Sequence, residues 1–282
     1  RRQDHYRHYR HEAGGATGLS GNNVKAIHLR GDSLWIGTFA SGLNLLRLDR
    51  GQWQHFGQGS EGPGRLSDDN VYALVQDGRD LWIATYGGGL NRMDLRQGQV
   101  RAFRHQAQDS LSLNSDLTRC LLQDPQGRLW IGTDEGLDRM DPKAEEPPRF
   151  EHFLPGKMIC ALLLSRDGLL WVGTFKHGVM VLDQSGKLQG HFSPADGLPG
   201  QTAFGLLEDE KGRVWVSSER GLAKIDPRDG SVTGYNYSDG LDNLEYNFNA
   251  YYRARSGEMF FGGTKGFTSF FPDEIRTNTF VP

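Results

Sequence analysis

A pentapeptide recurs along the chain and limits it to very few folds. Leu34-Trp35-Ile36-Gly37-Thr38 returns as Leu81-Trp82-Ile83-Ala84-Thr85, Leu129-Trp130-Ile131-Gly132-Thr133 and Leu170-Trp171-Val172-Gly173-Thr174. A fifth copy is Val214-Trp215-Val216-Ser217-Ser218, and a worn sixth is Met259-Phe260-Phe261-Gly262-Gly263. The anchors Trp35, Trp82, Trp130, Trp171, Trp215 and Phe260 are spaced by 47, 48, 41, 44 and 45 residues. A period of about 40–50 residues with several short apolar segments per copy is that of a four-stranded propeller blade. The expected fold is all-β: one β-propeller domain over residues 1–282, with six blades of four antiparallel strands.

Each copy divides in the same way. An apolar first strand (Val24-Lys25-Ala26-Ile27; Val71-Tyr72-Ala73-Leu74) leads to a turn such as Asp124-Pro125-Gln126-Gly127 or Asp209-Glu210-Lys211-Gly212. There Asp caps the turn and Gly takes positive φ. The Trp strand follows, then a turn ending in Gly, a third strand, and a fourth that closes on Phe56, Phe103, Phe153, Phe192 or Tyr235. One first-strand position is always small: Ala26, Ala73, Cys120, Ala161, Gly205 and Ala250. That fits the crowded centre of a propeller, while Trp fills the wider space between blades.

The last copy supplies three strands and no fourth. Residues 4–9, Asp4-His5-Tyr6-Arg7-His8-Tyr9, read like an isolated fourth strand, because His8-Tyr9 matches His55-Phe56, His152-Phe153 and His191-Phe192. An N-terminal strand closing the last blade is therefore expected. The alternative is part of a seven-bladed or larger array.

Composition excludes several classes. A formal net charge of -3 with the two signs interleaved gives no reason to expect nucleic acid. No apolar stretch is long enough to span a bilayer. The chain begins at Arg1 with no leader in view, so a removed leader or an excised piece of a longer protein is expected. Cys120 and Cys160 match no metal or redox motif and sit in apolar strands, which predicts small buried thiols. His8, His55, His152 and His191 share one outer-strand slot of different blades, too far apart for a common metal. Gly87-Gly88-Gly89 lacks the Lys and helix of a phosphate loop. No cofactor, metal or catalytic constellation is expected.

The pattern Asn-x-Val-x-x-Ile followed by Leu-Trp-Ile-Gly-Thr-x-x-x-Gly-Leu, carried by Asn23 to Ile27 and Leu34 to Leu43, resembles the two-component regulator propeller repeat. The linkers Gly18-Leu19-Ser20, Asp196-Gly197-Leu198 and Asp239-Gly240-Leu241 resemble that repeat too. The stretch from Phe260 to Phe267, with Phe271-Pro272-Asp273-Glu274-Ile275, looks like the family's last repeat. The resemblance implies a periplasmic or otherwise extracytoplasmic sensor whose relatives control histidine kinases or diguanylate cyclases, some responding to glycans. Any dimer contact, membrane span or catalytic output would then come from segments outside this chain. Two departures stand out: family arrays commonly carry more repeats in seven-bladed rings, and the fifth copy has Ser217-Ser218 for Gly-Thr.

Within the fixed repeat, two sets of positions vary. The residues before the small position are Lys25, Tyr72, Arg119, Cys160, Phe204 and Asn249; the second-to-third turns carry Phe39, Tyr86, Asp134, Phe175 with Lys176, Glu219 and Lys265. Exposed turns also vary for want of constraint, but aromatic, cationic and anionic groups together suit an oligosaccharide or a small polar acid. The candidate ligand residues are Lys25, Tyr72, Tyr86, Arg119, Phe175, Lys176, Phe204 and Asn249, with Tyr72 and Arg119 expected toward solvent. A ligand-sensing module is the first reading. A protein-interaction scaffold and a propeller lyase are the alternatives.

Overall fold

The computed structural model describes residues 7–11, 18–143 and 148–275. Its strands form six antiparallel sheets, each strand pairing with the next in sequence. The first sheet is β1 (Val24–Arg30), β2 (Ser33–Thr38), β3 (Leu43–Arg47) and β4 (Gln52–Phe56). The second is β5 (Val71–Asp77), β6 (Asp80–Thr85), β7 (Gly89–Asp94) and β8 (Val100–Phe103). The third is β9 (Thr118–Gln123), β10 (Leu129–Thr133), β11 (Leu137–Met140) and β12 (Glu151–Phe153). The fourth is β13 (Ile159–Leu164), β14 (Leu170–Thr174), β15 (Val179–Leu182) and β16 (Leu188–Phe192). The fifth is β17 (Ala203–Glu208), β18 (Val214–Ser218), β19 (Gly221–Asp226) and β20 (Ser231–Tyr235). The sixth has β21 (Tyr246–Arg253), β22 (Met259–Gly263) and β23 (Gly266–Phe270). These are the six blades of an all-β propeller fold. They fall into two compact units, residues 1–118 with the first two sheets and 119–282 with the rest.

The repeated residues have repeated jobs. Trp35 is 4% exposed and the other four anchor tryptophans 1%. Trp35 packs against Val71 and Ile83 of the next sheet, Trp130 against Ile159 and Leu162, and Trp171 against Leu206 and Val216. The terminal aromatic of each fourth strand lies 5.4–6.0 Å from the Trp ring of its own blade. The Thr hydroxyl after the Gly donates to a turn carbonyl: Thr38 to Gly42 at 2.7 Å, Thr85 to Gly89 at 2.8 Å, Thr174 to Gly178 at 2.8 Å. Ser218 does the same to Gly221 at 3.0 Å, in a shorter turn that holds only Glu219 and Arg220. Gly37 of the pentapeptide is needed for close approach, since a Cβ there would sit 2.5 Å from Val71 Cγ1 of the next blade.

The expected closing strand at residues 4–9 lies only partly within the described residues. Residues 4–6 of the anticipated closing strand lie outside the described residues. Residues 7–9 form no strand, and Tyr9 packs edge-on against Trp53 of the first sheet, 5.5 Å between centroids. The sixth sheet holds three strands among the described residues. Tyr9 is thus drawn to an aromatic partner that the sequence comparison did not consider. Leu162 and Leu206 at one first-strand slot are 7% and 1% exposed against the preceding Trp, whereas Ile27 at the same slot is 68% exposed.

Candidate functional site

The variable first-strand residues share a structural cause. In β1, Val24 pairs with Thr38 and Ala26 with Gly37, so Lys25 is left out of the ladder. The same skip omits Tyr72 in β5, Cys160 in β13 and Phe204 in β17. In β21 the interruption spans the residues between Tyr246 and Tyr251, and Asn249 within it takes a left-handed φ of 58°. These are β-bulges, in which an extra residue bends its strand and re-aims its side chain. Sequence alignment had picked out these positions as variable neighbours of a small residue. The structure explains why they can vary.

In the first unit three candidates meet. The Tyr72 and Tyr86 rings stack at 5.2 Å, and Phe39 lies edge-on to Tyr72 at 6.4 Å. Lys25 Nζ sits 5.9 Å from both the Phe39 and the Tyr72 ring centroids. Asn70 fixes the two turns that carry these rings. Its Oδ1 accepts from the Ala40 N–H at 3.0 Å, and its backbone carbonyl accepts from the Tyr86 N–H at 2.9 Å. Asp68 Oδ1 in turn accepts from Asn70 Nδ2 at 2.9 Å. Phe39 remains 40% exposed. A row of aromatic faces beside an ammonium can stack on a flat or CH-rich ligand while pairing with its polar groups.

The second unit gathers Arg119, Phe204 and Asn249 around a residue not chosen from the sequence, Phe248. The Arg119 guanidinium lies 5.4 Å from the Phe248 centroid, and Phe204 is edge-on to Phe248 at 4.6 Å. Asn249 Nδ2 makes a long 3.5 Å bond to the Arg119 carbonyl. Arg119 was expected near solvent, but its side chain is 11% exposed and pairs with Asp134, Nη2 to Oδ2 at 3.2 Å and also Nε to Oδ1. The reason is the carboxylate from its own blade's turn, which satisfies the guanidinium inside the cluster. A signal for this was present, because Asp134 occupies the turn slot that holds Phe39 and Tyr86 elsewhere.

Phe175 and Lys176 pair with each other, with Lys176 Nζ 5.1 Å from the Phe175 centroid. Lys176 has a left-handed φ of 64°, and its N–H donates to Thr202 Oγ1 at 3.3 Å. Glu219 is taken up as a cap, accepting from the Gln201 and Thr202 amides at 2.9 and 3.0 Å. Both cysteines are buried as expected. Burial pushes the Cys120 thiol up to about 12 and raises that of Cys160 as well. The outer-strand histidines have separate partners: His55 and Gly18 O at 2.8 Å, His152 and Asp138 at 2.7 Å, His191 and His177 O at 2.7 Å. Among the described residues no three His, Cys, Asp or Glu side chains group as a metal site.

Comparison with known proteins accords with this architecture. Residues 65–87, 112–135 and 197–220 match the two component regulator propeller family. An 87-residue stretch is 34% identical to histidine kinase P4 of Formosa agariphila, covering 31% of this chain and 6% of that protein. The fold resembles the extracellular domain of the hybrid two component system BT3049 from B. thetaiotaomicron, with a TM-score of 0.76 and 19% identity over 94% of this chain. This chain spans 36% of that domain's length. Virginiamycin B lyase from Staphylococcus aureus shares the fold at a TM-score of 0.65 and 13% identity, covering 88% of this chain and 84% of the lyase. Three of the chain's repeats match the two component regulator propeller family, and the solved structures share its fold.

Proposed function

We propose that this chain is the ligand-sensing propeller of an extracytoplasmic signal receptor. It takes a polar small molecule or oligosaccharide at the aromatic row of Lys25, Phe39, Tyr72 and Tyr86 and works by binding, without catalysis. The observation that carries this reading is the row itself: bulge and turn residues of consecutive blades meet, with Tyr72 stacked on Tyr86 and Phe39 edge-on to Tyr72. The likeness to extracellular domains of two-component systems supports the sensor role and the location outside the cytoplasm. Binding without chemistry is supported by the histidines at 55, 152 and 191, each of which already holds a structural partner. Among the described residues no helix is long and apolar enough to cross a membrane. A receptor of this kind needs only a difference in affinity between two states of its output.

The test is a calorimetric screen of oligosaccharides and small organic acids, followed by Tyr72→Ala and Lys25→Gln. Each variant should weaken the best ligand at least tenfold, about 1.4 kcal/mol, with an unchanged unfolding midpoint. A folded Tyr72→Ala protein that binds as tightly as the parent would remove this row as the site.

A further inference from the structure

At the opposite end of the same strands lies a second groove that the sensing role does not use. Lys25 and Tyr72 stand near the starts of β1 and β5, whereas Arg30 and Gln76 stand near their ends, five and four residues on. At about 3.3 Å per residue that is roughly 13–17 Å away. The groove encloses about 560 Å³ between the first two sheets. Its floor is the buried apolar packing of Trp35, Leu45, Phe56 and Met93. Its rim carries three guanidiniums, from Arg30, Arg47 and Arg96, and three carboxamides, from Gln54, Gln76 and Gln97.

No carboxylate lines this groove, in a chain whose net charge is -3. Asp94, next to Arg96 in sequence, is committed elsewhere. It accepts from the Arg96 and Gln97 amides at 2.8 and 3.1 Å and lies 3.6 Å from the Arg79 guanidinium. Arg47 donates to Ser33 Oγ at 2.5 Å and Arg30 to the Gly78 carbonyl at 3.4 Å, both neutral acceptors. Asp32 and Asp49 line an adjoining hollow that shares Ser33, Leu45, Arg47 and Gln54 with this groove, and there Asp49 pairs with Arg50 at 3.2 Å. The groove's own lining thus carries three guanidiniums and no carboxylate.

We infer that this groove is a docking site for an extended acidic peptide segment. Guanidiniums match carboxylates with two parallel bonds. The carboxamides each offer a donor and an acceptor, which is what a peptide backbone requires. The apolar floor accepts the methylene stems of glutamate side chains. A simple inorganic anion would engage the arginines and leave the carboxamides and floor idle.

The experiment titrates a tetraglutamate peptide into the protein by calorimetry, with tetraglutamine and inorganic sulfate as comparators. Tetraglutamate should bind at low ionic strength and weaken at least tenfold as salt rises from about 0.05 to about 0.5 M, because exposed charges are screened over that range. The triple variant Arg30→Gln, Arg47→Gln, Arg96→Gln should lose at least tenfold in affinity with an unchanged unfolding midpoint. Arg96→Gln alone, in an exposed turn, should lose part of that if the triple variant is unstable. Absence of tetraglutamate binding, equal binding of tetraglutamine, or an unaffected folded variant would overturn the proposal. Sulfate binding as tightly as the peptide would overturn it in favour of a bare anion site.

Discussion

Replacing Trp130 with alanine is expected to cost the fold about 3–5 kcal/mol, the usual range for deleting a fully buried aromatic. The side chain is 1% exposed and packs on Ile159, Leu162 and Leu170 of the following blade. Its ring lies 5.4 Å from Phe153 and 5.0 Å from the Arg139 guanidinium, so three layers lose their filler at once. The indole N–H also donates to Asp124 Oδ2 at 3.1 Å. Trp130→Phe keeps most of the packing and removes that bond, so it should cost clearly less. Denaturant unfolding measures both, and a Trp130→Ala protein with the parental midpoint would contradict this account of the blade interface.

Asp209→Ala should be nearly as damaging, at about 3–5 kcal/mol, although it removes only one carboxylate. That carboxylate is 1% exposed and accepts four bonds. They come from the Lys211 amide at 2.9 Å, the Arg213 amide at 3.0 Å, Arg213 Nε at 2.6 Å and the Trp215 indole at 3.0 Å. Truncation strands the buried Trp215 indole, loosens the turn amides and leaves the Arg213 guanidinium to Asp273 alone, and a buried unsatisfied group costs about 1–3 kcal/mol. The chain contains its own rescue design. In the fourth blade Ser165 takes this place, its Oγ accepting from the Trp171 indole at 3.2 Å. Asp209→Ser should therefore be milder than Asp209→Ala in denaturant midpoint. Equal losses for the two would mean that the turn geometry, and not the indole anchor, sets the cost.

The repeat made the blades legible because one local solution is written six times. Each Trp and each fourth-strand aromatic could be placed from the spacing alone, whereas the Thr-to-turn bonds came only with the structure. The contacts of the chain start were not legible: Tyr9 matches the fourth-strand pattern, yet its ring meets Trp53, and pattern matching does not weigh competing aromatic partners. The candidate residues were found because they varied, but variation carried no geometry. Nothing in the order Lys25, Phe39, Tyr72, Tyr86 announces that these side chains meet, since Lys25 and Phe39 belong to the first blade and Tyr72 and Tyr86 to the second. The exposure of Arg119 was not legible for a different reason: its carboxylate partner lies fifteen residues away in a turn.

The bulges have one more consequence. A residue omitted from the ladder is outside its reading frame, so exchanging it leaves the partner of every other residue unchanged. Lys25, Tyr72, Cys160 and Phe204 each occupy such a place. The scaffold and the surface it displays are thereby written in separate alphabets. A propeller of this design can be re-addressed to a new chemical signal one blade at a time, with the inter-blade tryptophans untouched and the strands in their old register.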